Sequence, residues 1–243
     1  MSETDEVWDR RRTSFGSAAE NYAGGRPHYP RELLEWGAPP GARTVLDLGA
    51  GTGIVTAGLL ELGFDVVAVE PLEQMRDRIP AAAEAIWGTA EQIPLADSSV
   101  DAIYVGQAWH WFDEQAALAE TGRVLRPGGR LVLMWNMLDA ADDLAREIAD
   151  ITEAEERTDL VEAENLPSPY GEDPHFEAVE RRLLLHRQPY DADRLERFVL
   201  SRSQTILLEP EARAALLARL RAAAPSGRFD LALGCEAWRA TYR

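Results

Sequence analysis

Three glycines at alternate positions, Gly49, Gly51 and Gly53, follow directly on the run Val45-Leu46-Asp47-Leu48. A nearly continuous apolar stretch that stops at glycines reads as a buried strand, here Thr44–Leu48, entering a tight turn. The pattern that resumes at Ile54 is helical as far as Leu62, where Gly63 stops it. A strand, a glycine turn and a helix in that order begin a βαβ unit, which constrains the chain to an α/β architecture. The glycines let the backbone turn sharply and a ligand approach closely, and the helix behind them presents unpaired N–H groups.

The alternation continues downstream. Asp65–Val69 reads as a second short strand, β-branched as central parallel strands are. A helix is expected from Pro71 to about Arg78, with proline in its first turn. Ala85–Trp87 and Val100–Val105 read as further strands and Asp113–Val124 as a helix; Arg130–Trp135 reads as a fifth strand after the turn Pro127-Gly128-Gly129. Upstream, Pro27 and Pro30 bracket His28 and Tyr29, and a short helix over Arg31–Trp36 ends at Pro39-Pro40-Gly41. This spacing implies right-handed crossovers in a mainly parallel sheet, with the loops after residues 48, 69, 87, 105 and 135 around one crevice.

Beyond residue 138 the organisation changes. Asp139–Asn165 is strongly acidic, with helical spacing at Leu144, Ile148, Ile151 and Ala154. Phe176–His186 reads as a strand, Asp191–Leu200 and Glu209–Leu220 as helices, and Phe229–Tyr242 as a last strand. The first twenty-odd residues mix charge, Gly and Ser, and the triplet Arg10, Arg11 and Arg12 reads as a flexible arm. The expected organisation is a single domain over 1–243. Its core sheet is drawn from 40–137, 176–188 and 228–243, and its helical cap elements from 139–165 and 190–222.

A formal net charge of −17 repels phosphate backbones and anionic lipid, so no nucleic-acid partner is expected. Every Lys+Arg position is an arginine, which rules out a lysine Schiff base. Cys235 is alone and forms no internal disulfide. No apolar run is long enough to span a membrane, and the N-terminus lacks a basic start followed by an apolar stretch, so a cytoplasmic protein is expected. No His/Cys/Asp cluster has metal-site spacing. The glycine spacing puts Ile54 where a dinucleotide fingerprint has its third glycine, which counts against an NAD oxidoreductase. Glu70, at the end of the second strand, is a carboxylate able to accept both hydroxyls of a ribose.

The segments VLDLGAGTGIVT, VVAVEPLEQM, GTAEQIPLADSSVDAI, QAWHWF and RVLRPGGRLVLMWN follow one another across residues 44–136. In these the chain resembles the class I S-adenosylmethionine-dependent methyltransferases, and more narrowly the type 11 domain family that includes trans-aconitate methyltransferase-like proteins. FGSAAENYAGGRPHYP resembles the segment that precedes the core in these relatives. The resemblance implies a Rossmann-like, seven-stranded, mostly parallel sheet with helices on both faces and a small helical cap. It implies that Asp47, Gly49, Ala50 and Gly51 surround the methionine part of S-adenosyl-L-methionine, that Glu70 holds the ribose, and that Pro71 and Met75 lie along the adenosine. Ala90 and Glu91 match the position that meets the adenine amine, and Gln107 lies beside the sulfonium. Tyr22 and Arg26 match residues that close over the cofactor, with Arg26 a partner for its carboxylate.

The acceptor side is less specific. In Gln107-Ala108-Trp109-His110-Trp111-Phe112, Trp111 and Phe112 are expected to anchor the next helix, while Trp109 belongs either to the core or to an acceptor pocket. His110 is the candidate base, since an unperturbed imidazole titrates near pH 6.5. His28 and Tyr29 are pocket candidates by location, and Arg194, Arg197 and Arg202 are candidate partners of an anionic substrate. The expected function is methylation of O, N or C on a small-molecule acceptor by a monomer or homodimer. The alternatives are a catalytically silent cofactor-binding or partner-supporting protein, and a protein or RNA methyltransferase.

Overall fold

The computed structural model describes residues 19–152, 169–170 and 173–243. The arginines at 10–12 and the part of the acidic segment from 153 to 165 lie outside the described residues. Strand β1 (Thr44–Leu48) runs parallel to β2 (Asp65–Val69) on one side and to β4 (Val100–Gly106) on the other. β3 (Glu84–Ile86) pairs in parallel with β2, and β5 (Leu125–Leu138) pairs in parallel with β4. With β6 (Phe176–Tyr190) and β7 (Phe229–Tyr242) they form one seven-stranded sheet in the order β3-β2-β1-β4-β5-β7-β6. This is a Rossmann-like, mostly parallel sheet with flanking helices.

The alternation along β1 shows why the sheet is covered on both faces. Val45 packs with Leu33 and Leu34 of α2 (Arg31–Gly37) and with Val55 and Leu59 of α3 (Ile54–Glu61). Leu46 and Leu48 point the other way, into a cluster with Ala117, Leu118 and Val124 of α5 (Glu114–Val124). Successive strand residues face opposite sides, so an apolar run with little interruption is what a doubly covered strand requires. The Tyr104 hydroxyl, buried under α2, donates to the Leu34 carbonyl at 2.7 Å and fixes that helix on the sheet. Connectivity reverses between β1 and β4, so a switch point lies beyond their C-terminal ends.

Contacts divide the described residues into two compact units: a larger one of 28–136, 169–170, 173–184 and 235–243, and a smaller one of 19–27, 137–152 and 185–234. The core of the smaller unit joins Ala145, Ile148 and Ile151 of α6 (Asp143–Thr152) to Leu195, Phe198 and Val199 of α7 (Ala192–Leu200) and to Leu220 of α9 (Pro210–Ala223).

Several local expectations are corrected. Residues 19–25, for which the sequence offers no element, form helix α1 (Ala19–Gly25). It packs tightly on α7: a Cβ on Gly25 would lie 2.2 Å from the Phe198 nitrogen, and the Tyr190 hydroxyl donates to the Gly25 carbonyl at 2.9 Å. The helix expected from Pro71 is the single turn α4 (Glu73–Arg76). The expected turn at Pro127-Gly128-Gly129 does not interrupt β5; the extra residues are taken up where the β4 register shifts between Val100 and Ala102. Residues 203–206 add the short helix α8 (Ser203–Ile206).

Candidate active site

The geometry begins at the C-terminal end of β1. Asp47 is buried, and its Oδ2 accepts from the Thr56 backbone N–H at 2.8 Å and from the Thr56 hydroxyl at 2.6 Å. Its Oδ1 is buried without a hydrogen-bond partner among the described residues. Burial raises the Asp47 pKa to about 7, against the lowering effect of the Thr56 bonds; repulsion from Glu70 adds a smaller push. Gly49, Gly51 and Gly53 then take left-handed backbone angles, φ 69°, 57° and 83°. A Cβ on Gly49 would lie 2.9 Å from that of Ala108, so glycine also lets the loop after β4 close onto the loop after β1.

Glu70 stands at the end of β2, 6% exposed. Its Oε2 accepts from the Gly51 N–H at 2.9 Å and its Oε1 from the Leu72 N–H at 2.8 Å. Burial raises its pKa, and these two bonds and Arg76 oppose the rise. A carboxylate has about four lone-pair positions, so each oxygen keeps capacity to accept from a ligand. The loop therefore presents two buried carboxylates around a glycine turn, at the switch point of the sheet.

At the tip of β4, Gln107 also adopts a left-handed conformation, φ 57°. Its N–H donates to the Met134 carbonyl at 2.9 Å and its Nε2 to the Asn136 carbonyl at 2.6 Å. A long side chain held at positive φ marks local strain of the kind found at functional sites. The bonds to β5 hold it there.

A profile of the family described as "Methyltransferase domain" matches residues 46–133. An uncharacterized methyltransferase of Mycobacterium tuberculosis H37Rv is 44% identical over 211 residues, 86% of this chain and 84% of that relative. The chain belongs to the class I, type 11 methyltransferase family. The malonyl-[acyl-carrier protein] O-methyltransferase of Methylococcus capsulatus is 41% identical over 134 residues, 49% of this chain and 48% of its own. A solved Anaeromyxobacter dehalogenans structure described as a type II methyltransferase shares the fold. It is 24% identical with a TM-score of 0.61, covering 90% of this chain and 97% of its own.

In this methyltransferase the larger unit brings together most of the residues singled out from sequence. Met75 is buried at 3% exposure beyond β2, and Ala90 is buried in the cluster that contains Ile93. Glu91 Oε1 accepts from the Asp113 N–H at 3.0 Å, tying the loop after β3 to the start of α5, where Asp113 caps by accepting from Ala116 N–H. Trp109 is 7% exposed and meets Phe112 edge-to-face at 5.8 Å in the core, so its packing is that of a core residue. His110 is exposed beside Trp111, with ring centroids 4.8 Å apart. His28 is exposed, and its carbonyl accepts from Asn136 Nδ2 at 3.5 Å.

Tyr22, Arg26 and Arg202 belong to the smaller unit. There Arg26 donates to the Ser201 hydroxyl at 2.9 Å and carbonyl at 3.1 Å and stacks on Tyr22 at 4.8 Å. Arg202 donates to the Thr152 hydroxyl at 3.4 Å. Among the described residues, no group of His, Cys, Asp and Glu is arranged to hold a metal ion.

Two contributors, Thr56 and Thr52, escaped the sequence reading, while Tyr29, a pocket candidate by location, has its place explained by the fold. Thr56 clamps Asp47, and nothing in its spacing announces that. The Tyr29 hydroxyl lies 2.7 Å from where a Cβ on Gly106 would be, so the glycine at the end of β4 makes room for it. Thr52, whose buried Oγ1 lacks a hydrogen-bond partner among the described residues, was readable as the polar residue inside the glycine turn.

Proposed function

We propose that this methyltransferase binds S-adenosylmethionine at the C-terminal ends of β1, β2 and β4 and transfers its methyl group to an oxygen, nitrogen or carbon nucleophile on a small molecule. The observation that carries this reading is the incompletely satisfied polar set around the glycine turn. Asp47 Oδ1 and Thr52 Oγ1 are buried without hydrogen-bond partners among the described residues, next to the spare lone pairs of Glu70. Buried acceptors without donors are costly, and an ammonium with a ribose diol supplies the missing donors. The residues present therefore fit the cofactor.

When bound, the cofactor supplies a methyl group on a cationic sulfonium with a good leaving group. Asp47, Gly49, Ala50 and Gly51 hold its methionine part, and Glu70 accepts from the ribose hydroxyls. Pro71 and Met75 lie along the adenosine, Ala90 and Glu91 meet the adenine, and Gln107 borders the reacting end. The protein's remaining task is to align the acceptor and keep water away. His110 takes the proton of a hydroxyl or amine acceptor; its exposure at the head of the loop after β4 supports that role. A carboxylate acceptor, the kind methylated by relatives of the trans-aconitate type, needs no such base. The net charge of −17 favours a small molecule over nucleic acid.

The test is incubation with S-adenosylmethionine labelled in its methyl group and separate pools of small metabolites, RNA and proteins. Label is expected in the small-molecule pool. Cofactor binding with no label in any pool would instead identify a silent binding module, and label in RNA or protein would overturn the acceptor class. His110→Gln should slow transfer to hydroxyls and amines and spare carboxylates.

A further inference from the structure

A second feature of the larger unit lies at the other end of the sheet. An open surface cavity of about 530 Å³ is lined by α2, by the turn that enters β1, by Leu62 and Phe64 ahead of β2, and by Arg130 and Arg239. It precedes β1, whereas the glycine turn follows it. The length of β1, about 16 Å at 3.3 Å per residue, therefore separates the two places.

The arginines here are unequally paired. Arg31 pairs with Glu35 at the exposed rim at 2.8 Å, and Arg239 donates twice to Glu180. Arg239 and Arg182 also stack on Trp36, at 4.3 and 4.9 Å from the ring centre. Half-buried Arg130 makes no direct ion pair with a carboxylate among the described residues; Glu180, which pairs with Arg239, acts on it only through its charge. Its Nη1 donates to the Ala38 carbonyl at 2.8 Å and more weakly to the Trp36 carbonyl at 3.4 Å, both at the C-terminal end of α2. Its Nε and Nη2 have no protein partner among the described residues. Burial, then the Arg239 charge, lower its pKa, and the charges of Glu180 and Tyr104 oppose them. Capping α2 accounts for Nη1 and leaves the rest of the guanidinium fork unexplained.

We propose that this cavity is a binding site for a small organic oxyanion, a carboxylate or phosphate carried on an apolar body, distinct from the methyl-transfer crevice. A planar fork with donors to spare suits an oxyanion. The cavity volume is that of a small-molecule site and exceeds what one inorganic ion fills. Leu62, Phe64 and the prolines 39 and 40 supply apolar wall for the body. In a chain of net charge −17, a patch where guanidinium groups outnumber carboxylates is selective for anions against the field of the whole molecule.

The experiment is calorimetric titration of the full chain, with and without saturating S-adenosylhomocysteine, with benzoate, phenyl phosphate and neutral benzamide. At least one anion should bind and benzamide should not; which anion binds better distinguishes carboxylate from phosphate. Arg130→Gln should weaken binding at least tenfold. Glu35→Gln, which removes a rim carboxylate on the exposed surface, should tighten it about threefold. If Arg130→Gln fails to fold, the Glu35→Gln result decides. Binding of neither anion, binding unmoved by the variants, or binding abolished by saturating S-adenosylhomocysteine would overturn the site.

Discussion

At the C-terminal ends of β1 and β2 the buried polar side chains are the carboxylates of Asp47 and Glu70, with acceptor atoms to spare. At the N-terminal end of the same sheet the polar side chains are half-buried guanidinium groups, with the donors of Arg130 to spare. Both ends hold charge away from water with incomplete pairing, and both pKa values move toward the neutral form for that reason. The difference lies in the backbone. The carboxylate end is built on left-handed glycines that bring main-chain N–H groups close, while the arginine end rests on helix-terminal carbonyls. One end suits a cationic, hydroxyl-bearing ligand, and the other suits an anion.

The comparison breaks most visibly at Glu70. Glu70→Ala removes the acceptor for two hydroxyls and should weaken S-adenosylmethionine binding about 100- to 10,000-fold, since hydrogen bonds to charged groups contribute about 1.5–3 kcal/mol each. Titration calorimetry checks this. The same variant should leave anion binding at the far cavity unchanged.

Asp47 gives the next largest effect. Its folded-state pKa of about 7 lies above the ordinary value of 3.8, so the folded state holds the proton more tightly than the unfolded chain does. That contribution is present at low pH and is lost as pH rises from about 4 through 7. The ligand-free protein should lose stability over this window, and Asp47→Asn should flatten the profile and gain about 2–4 kcal/mol at pH 8. Denaturant unfolding at a series of pH values reads both. Affinity for the cationic cofactor should rise over the same window as the carboxylate ionises.

How far the two ends were readable from sequence follows from what each depends on. The carboxylate end is local: Asp47, the glycines and Glu70 sit at strand ends fixed by short apolar runs, and strand alternation alone placed them together. The arginine end joins residues 31–42, 130 and 239, which only the sheet order brings together. Trp109 stood between core and pocket in the sequence because an aromatic at a strand tip suits either; its contact with Phe112 gives it a core position. Helix α1 was missed because its glycines argue for a loop until α7 is there to be approached.

Smaller effects sharpen the contrast. Gly49→Ala forces a side chain into φ 69° and against Ala108, and should destabilise the fold by about 1–3 kcal/mol, read as a lower unfolding midpoint. Arg130→Gln should cost about 1 kcal/mol through the lost bond to Ala38, with cofactor affinity unchanged. An equal loss of cofactor affinity in that variant would mean that the two ends are coupled.

The most direct test of the central claim is calorimetric titration of the purified chain with S-adenosylmethionine and S-adenosylhomocysteine, with NADH as control and Glu70→Ala alongside. Micromolar binding of both adenosyl ligands, no binding of NADH, and loss of binding in a folded Glu70→Ala protein are the predicted results. A folded wild-type chain that ignores both adenosyl ligands, or a Glu70→Ala variant that binds them undiminished, would contradict the account.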